Sequence, residues 1–416
     1  MIRYKQPEKM QEYLQDLYKV REEEGERTMN IINIGTYLPK QCGIATFSAD
    51  LCNSIAAWGN DLKIIAISDN SCNYHYSNQV IFNIRQNQRQ DYIKAAAYIN
   101  SAAADLVILQ HEYGIFGGEE GEYVLNLIKL LHKPYVLITH TVLPCPSRKQ
   151  KQVLNEACHR AAGIVCMTER SRNLLVDLYE APAEIVKVIA HGVPDFVRRP
   201  QAELKQKHGL ENNRLISTFG LIGPGKGLEM GIRAVAELAA DHPDIVYLIL
   251  GQTHPMLLRR EGEKYRQMLL DLVKELGLQQ KVVFINKFLS DEELGEYLYM
   301  TDIYLSPYPN LDQAVSGTMA FAIGCGRAIV STAYAYANEV LKAGRGLLVP
   351  SADPHLLAQA LQQIMNNSKL REGLQNKAWE LGRTWTWSNV GQEYIGFFKQ
   401  VLNLNRLGEE KILAKL

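Results

Sequence analysis

The chain has 416 residues, 47% hydrophobic and 22% charged, with 45 Lys and Arg set against 45 Asp and Glu. That length suits two domains of roughly 200 residues each, and the near-average composition argues against widespread disorder. A formal net charge of zero removes the long-range attraction that nucleic-acid binders use, so nucleic acid is not an expected partner. The seven cysteines (Cys42, Cys52, Cys72, Cys145, Cys158, Cys166 and Cys325) are scattered and form no C-x-x-C pair. Free thiols in a reducing cytoplasm are expected, not a zinc ribbon or a disulfide framework. The first residues hold no signal-peptide run, and no stretch approaches the ~20 apolar residues of a membrane span. Membrane contact is therefore expected to be peripheral at most.

In chain order, residues 1–28 read as a charged helix with a modest apolar stripe (Met10, Tyr13, Leu14, Leu17). Five apolar runs follow: IINIGTY, LKIIAIS, DLVILQHE, YVLITH and GIVCMT. Separated by amphipathic helices, they predict a parallel sheet buried on both faces. A second series, LISTFG, IVYLILG, VVFIN, IYLSPY, AIVST and GLLVP, predicts a second sheet of the same kind. The charged stretch between them places a boundary near residues 194–212, and an aromatic-rich amphipathic helix closes the chain. The reading is an N-terminal helical extension (1–28), two Rossmann-like α/β/α domains (29–198 and 199–383), and a last helix (384–416) packing back toward the first domain. In such folds ligands bind outside the carboxyl ends of the strands.

The strand tips carry the chemistry. Gly43, in PKQCGIATF, opens a helix after the first strand, where free N–H groups and the helix dipole favour an anion; it is equally a plain turn residue. In FGLIGPGKGLE, Gly220, Gly223, Gly225 and Gly227 surround Lys226 between a strand and a helix. The spacing is neither a Walker loop nor a dinucleotide fingerprint, yet the glycines allow close approach of a phosphate and the lysine supplies charge. Ser316, Gly317 and Thr318 start another helix at a strand tip, serving as a cap or as donors to phosphate oxygens. His140 sits at the tip of YVLITH, open to hydrogen bonding or to burial as a core histidine. His111 and Glu112, at the tip of the preceding run, are similar candidates on the acceptor or sugar side, and His191 is read as ordering the approach of the domains.

Taken together, PKQCGIATFSADL, THTVLP, VIAHGVP, FGLIGPGKGLE, LGQTHP, SGTMAFAIGCGRAIVST and RGLLVPSADP resemble, in order, retaining glycosyltransferases of the group 1 type (family 4, GT-B fold), in particular the mannosyltransferase-like branch. The resemblance runs from about Ile31 to about Leu402. It implies two facing Rossmann-like domains with an interdomain cleft. A nucleotide-sugar donor, GDP-mannose in that branch, would bind the C-terminal domain, and a carbohydrate or lipid-linked acceptor the N-terminal one, with no metal required. It sets Lys226 at the donor diphosphate with Ser316, Gly317 and Thr318, Gly43 near phosphate and acceptor, His140 at the transferred sugar, and Glu339 beside the nucleotide. Two departures stand out. Leu221 replaces an arginine five residues before the lysine, and Gln313 and Phe321 replace the two glutamates of an E-x7-E motif. Gln313 retains sugar-binding capacity, whereas Phe321 cannot accept from a ribose. A phosphorylase using inorganic phosphate, or an inactive sugar- or nucleotide-binding partner subunit, are the alternative readings.

Overall fold

The protein is described by a computed structural model covering residues 28–69 and 73–413, and side chains to residue 404. The helix expected over 1–28 lies outside the described residues, save Thr28, as does Cys72.

The first domain is one parallel sheet of seven strands: β1 (Asn30–Gly35), β2 (Asp61–Ser68), β3 (Val80–Arg85), β4 (Leu106–His111), β5 (Tyr135–Thr139), β6 (Gly163–Cys166) and β7 (Val186–Val188). Its order is β3-β2-β1-β4-β5-β6-β7. Alternate residues of each strand feed two cores. Ile32, Ile34, Val107 and Leu109 meet the helices Arg89–Ser101 and Arg148–Arg160 on one face. Ile31, Leu106, Ile108 and Val136 meet the helix Gly43–Ala57 on the other. Burial on both faces explains why β4 and β5 read as unbroken apolar runs. The strands β3 and β7 escaped the sequence reading because they are sheet edges, half exposed and without such a run.

The second domain holds β8 (Arg214–Phe219), β9 (Ile245–Leu250), β10 (Val282–Ile285), β11 (Ile303–Ser306), β12 (Ala328–Thr332) and β13 (Leu347–Val349), ordered β10-β9-β8-β11-β12-β13, again all parallel. All six expected strands are present. The charged stretch at the boundary enters this domain from residue 199 on. It forms the helix Gln201–Lys207, which buries Leu204. Lys205 Nζ donates to Asp302 Oδ2 at 2.6 Å, and Lys207 Nζ to Glu296 Oε2 at 2.7 Å. Its charges are paired, which composition alone does not show.

The chain crosses between domains twice, side by side. Val193 N–H donates to Trp385 O (2.8 Å) and Trp387 N–H to Val193 O (3.0 Å). After the second crossing the helix Trp387–Leu413 lies on the first domain, where Val390, Tyr394, Phe398 and Val401 join the Gly43–Ala57 core. The packing is close enough that a Cβ on Gly163 would stand 2.8 Å from Phe397. Among the described residues, no helix is long and apolar enough to cross a membrane.

Candidate functional site

In the second domain, the tips of the neighbouring strands β8 and β11 converge. After β8 the chain turns through Gly220 and Gly223 into a single turn of 3-10 helix, Pro224–Lys226, and then the helix Leu228–Leu238. Gly227 joins these two with φ 60°, and a Cβ there would lie 2.1 Å from the Pro307 carbonyl oxygen, so only glycine fits. That close approach carries Lys226 over the tip of β11. Its Nζ donates to the Tyr308 hydroxyl at 2.6 Å and stands 4.4 Å from the centre of that ring. The Tyr308 hydroxyl is 2.8 Å from Thr318 Oγ1, which is 3.2 Å from Ser316 Oγ. Burial would raise the Tyr308 phenol, but the Lys226 ammonium and the hydrogen bonds with Lys226, Thr318 and Ser316 outweigh it and hold the phenol below its ordinary value.

Ser316 caps the helix Gly317–Gly324 by accepting from Met319 N–H at 3.3 Å. The first amides of that helix have no intrahelical acceptor, so the helix start offers donors beside the lysine. Tyr308, stacked on Tyr334 at 5.2 Å, had no signal in the sequence beyond its place at a strand tip. Lys226, Ser316, Gly317 and Thr318 thus share one polar cluster.

The facing domain contributes neutral groups. His140, at the tip of β5, bonds through Nε2 to Gln110 Oε1 at 2.8 Å, and Gln110 Nε2 donates to Asn33 Oδ1 at 2.9 Å. With this amide orientation Nε2 carries the proton and Nδ1 keeps its lone pair. Burial, together with His191 and His111 nearby, lowers the His140 pKa to about 3. The ring is therefore uncharged near neutral pH. Glu112, at the tip of β4, accepts from the Thr141 hydroxyl, and burial raises its carboxyl above the usual range.

Phe47 and His191 join the two sides. Phe47, one turn into the Gly43–Ala57 helix, packs edge-on to His140 (4.8 Å), His191 (5.1 Å) and Trp387 (5.2 Å). His191 Nδ1 donates to Gly192 O at 2.7 Å, which leaves Nε2 as an acceptor. That atom would stand 2.9 Å from a Cβ on Gly317. The first domain thus touches the start of the phosphate-side helix through one imidazole. Gly43 opens its helix after Cys42, whose sulfur accepts from Ala45 N–H, and a Cβ on Gly43 would meet nothing within 4 Å.

One expectation needs correction, and two of the expected residues lie apart from the Lys226 cluster. His111 does not face a ligand. It is fully buried against Tyr113 and Phe116, and burial lowers its pKa to about 4. The Glu339 carboxylate accepts from the N–H groups of Glu169 (2.8 Å) and Arg170 (3.2 Å), the first residues of the helix Glu169–Asp177 in the other domain. With the Arg170–Asp312 pair at 3.1 Å, it is a strut between domains. Gln313 lies in the loop after β11 and donates to Val315 O at 2.8 Å. Among the described residues, no contact ties it to Lys226 or His140. Phe321 is core, stacked on Phe219 and edge-on to His191.

Two facing parallel α/β domains, with polar groups at their strand tips, define the GT-B class of architecture. Residues 200–380 match the family described as Glycosyl transferases group 1. A D-inositol 3-phosphate glycosyltransferase of Nocardioides sp. is 28% identical over 250 residues, covering 57% of this chain and 53% of the relative. A GDP-mannose-dependent alpha-(1-6)-phosphatidylinositol monomannoside mannosyltransferase of Mycolicibacterium smegmatis is 25% identical over 199 residues, 46% of this chain and 49% of the relative. The chain thus spans about half the length of these curated relatives. Among solved structures, HepE of Anabaena in complex with UDP superposes with a TM-score of 0.72 at 17% identity, over 89% of this chain and 100% of that one. Sucrose-phosphate synthase from Thermosynechococcus elongatus gives 0.73 at 17% identity, over 90% and 100%. Likeness at that identity establishes the fold.

Proposed function

We propose that the chain is a glycosyltransferase that moves a hexose from a nucleotide-diphosphate sugar to a carbohydrate or lipid-linked acceptor. The observation that carries this reading is the Lys226–Tyr308–Thr318 cluster at the start of the helix Gly317–Gly324, faced across the cleft by His191 and His140. Breaking the bond between the anomeric carbon and phosphate oxygen builds negative charge on the leaving diphosphate. A fixed ammonium, a hydroxyl and unpaired amides stabilise that charge without reorganising. The acceptor hydroxyl forms the new bond at the same carbon and passes its proton to a leaving phosphate oxygen. Neutral His140 hydrogen-bonds the sugar hydroxyls and donates no proton, because its basicity is suppressed. Retention of configuration follows from the sequence resemblance.

Mannose from GDP-mannose is the favoured donor, in keeping with the sequence resemblance and the mannosyltransferase relative. UDP in the structural neighbour makes a uridine donor the first competitor. An inositol phosphate, named in a relative, belongs among the acceptors to try. Hydrolysis of GDP-, UDP- and ADP-sugars in parallel tests the reading. Turnover of one of them, lost in Lys226→Ala, supports it, and full turnover by that variant overturns the site. Phe321 offers a ribose no acceptor, which gives the phosphorylase alternative its one structural footing. Phosphate-dependent cleavage of an oligosaccharide without added nucleotide would favour that alternative.

A further inference from the structure

A second set of charges lies beside the Lys226 loop and spans the cleft. Asp69 directly follows β2 in the first domain. Its Oδ1 accepts from Lys40 Nζ at 2.5 Å, and its Oδ2 from Arg259 Nη2 at 2.8 Å and from the Tyr74 hydroxyl at 3.2 Å. Lys40 belongs to the loop that leads into Gly43, whereas Arg259 lies on the helix Pro255–Glu261 of the second domain. The carboxylate therefore holds one cation from each domain. Burial would raise its pKa, but the bonds and charges of Lys40 and Arg259 outweigh burial and lower it.

The helix that bears Arg259 packs on the glycine loop of Lys226. Ile222 N–H donates to Gln252 O at 2.8 Å, His254 N–H donates to Ile222 O at 2.9 Å, and Leu257 lies 3.6 Å from where a Cβ on Gly223 would be. His254, between the two segments, is depressed by burial and then by Arg259, Lys226 and Lys40 in turn. Three cations thus converge on one place, with Asp69 bonded to two of them. A ligand with two negative charges complements the remainder.

We infer that Lys40 and Arg259 are further ligands of the donor diphosphate, and that Asp69 stands in for the phosphates until the donor displaces it. This rests on the glycosyltransferase reading above. The Arg259 side chain is 41% exposed against 9% for Asp69, so it is open to a ligand from solvent. A forked guanidinium gains more from two phosphate oxygens than from a single carboxylate oxygen. Because the two cations come from opposite domains, donor binding would also draw the domains together.

Calorimetric titration of the full chain with UDP and GDP, and with uridine and guanosine, tests this. Arg259→Ala and Lys40→Ala are each expected to weaken binding of the nucleoside diphosphate about tenfold, while nucleoside binding is unchanged and Arg259→Lys restores part of the loss. Asp69→Asn is expected to tighten binding, because a competing anion has gone. A strap that merely holds the domains closed gives the opposite sign, with Asp69→Asn and Arg259→Ala weakening binding alike. That pattern, or wild-type affinity in both alanine variants, overturns the inference. Thermal unfolding of each variant identifies any that misfold, and Arg259→Gln, at a partly exposed position, then takes the place of Arg259→Ala. A wild-type chain that binds no nucleoside diphosphate overturns the parent reading and this inference with it.

Discussion

The two domains repeat one architecture and present different chemistry to the cleft between them. The second domain offers charge, with Lys226 over Tyr308 and a helix start beside it. The first offers histidines whose basicity burial has removed, with His140 at about 3 and His191 at about 4. Residues matching a known family, 200–380, fall on the half that holds Lys226. On the proposed reading, diphosphate binding poses one electrostatic problem, to which the glycine-flanked Lys226, with Lys40 and Arg259 beside it, is the answer. On the same reading, sugar selection falls to the neutral His140 and His191 of the other half, where hydrogen-bond geometry decides. The halves meet at a seam where His191, packed on Phe47 and Trp387, reaches Phe321 and Gly317, and again at the Glu339 and Asp69–Arg259 contacts.

The division can be broken first at Lys226. Lys226→Ala is expected to cost about a hundredfold in transfer rate, with weaker donor binding and an unchanged unfolding temperature. His140→Ala should instead lower kcat while donor affinity holds. Equal effects of the two on donor affinity would dissolve the distinction. Gly192→Ala probes the seam, since the new Cβ would come within 2.2 Å of the Trp387 ring. A loss of about 3 kcal/mol is expected, read as a lower Tm.

Asp50 sharpens the contrast from the pH side. Burial, with Asp291 of the other domain nearby, raises its pKa to about 7. The folded state thus binds the proton more tightly than the unfolded one, so this group's contribution to stability falls as pH rises from about 4 to about 7 and is flat above. Asp50→Asn should remove that slope and raise the Tm at about pH 8. His140, by contrast, stays neutral throughout this range, and a rate inflection near pH 6.5 abolished by His140→Gln would contradict its lowered basicity. The smallest effect is expected at the exposed Arg170–Asp312 pair, where Arg170→Ala should change stability by about 0–1 kcal/mol.

The fold was largely legible because strands buried on both faces write continuous apolar runs, and all six strands of the second domain carry one. The edge strands β10 and β13 carry one too, whereas β3, broken by Asn83, and the three-residue β7 do not, and were missed. Lys226 and Ser316–Thr318 were legible as a site because glycines and hydroxyls cluster locally at strand tips. Asp69, Lys40 and Arg259 were not, since they meet only through folding and no local pattern links positions 40, 69 and 259. His111 misled for a related reason. Residue type shows that a side chain can bond, but not whether it faces the cleft, the core or the opposite domain.

The most direct measurement is a crystal structure with a bound nucleoside diphosphate. The expected result has Lys226 Nζ turned from Tyr308 onto a phosphate oxygen, with the amides of Gly317 and Thr318 on the same group. Nucleotide bound elsewhere, with the Lys226–Tyr308 bond intact, would contradict the account.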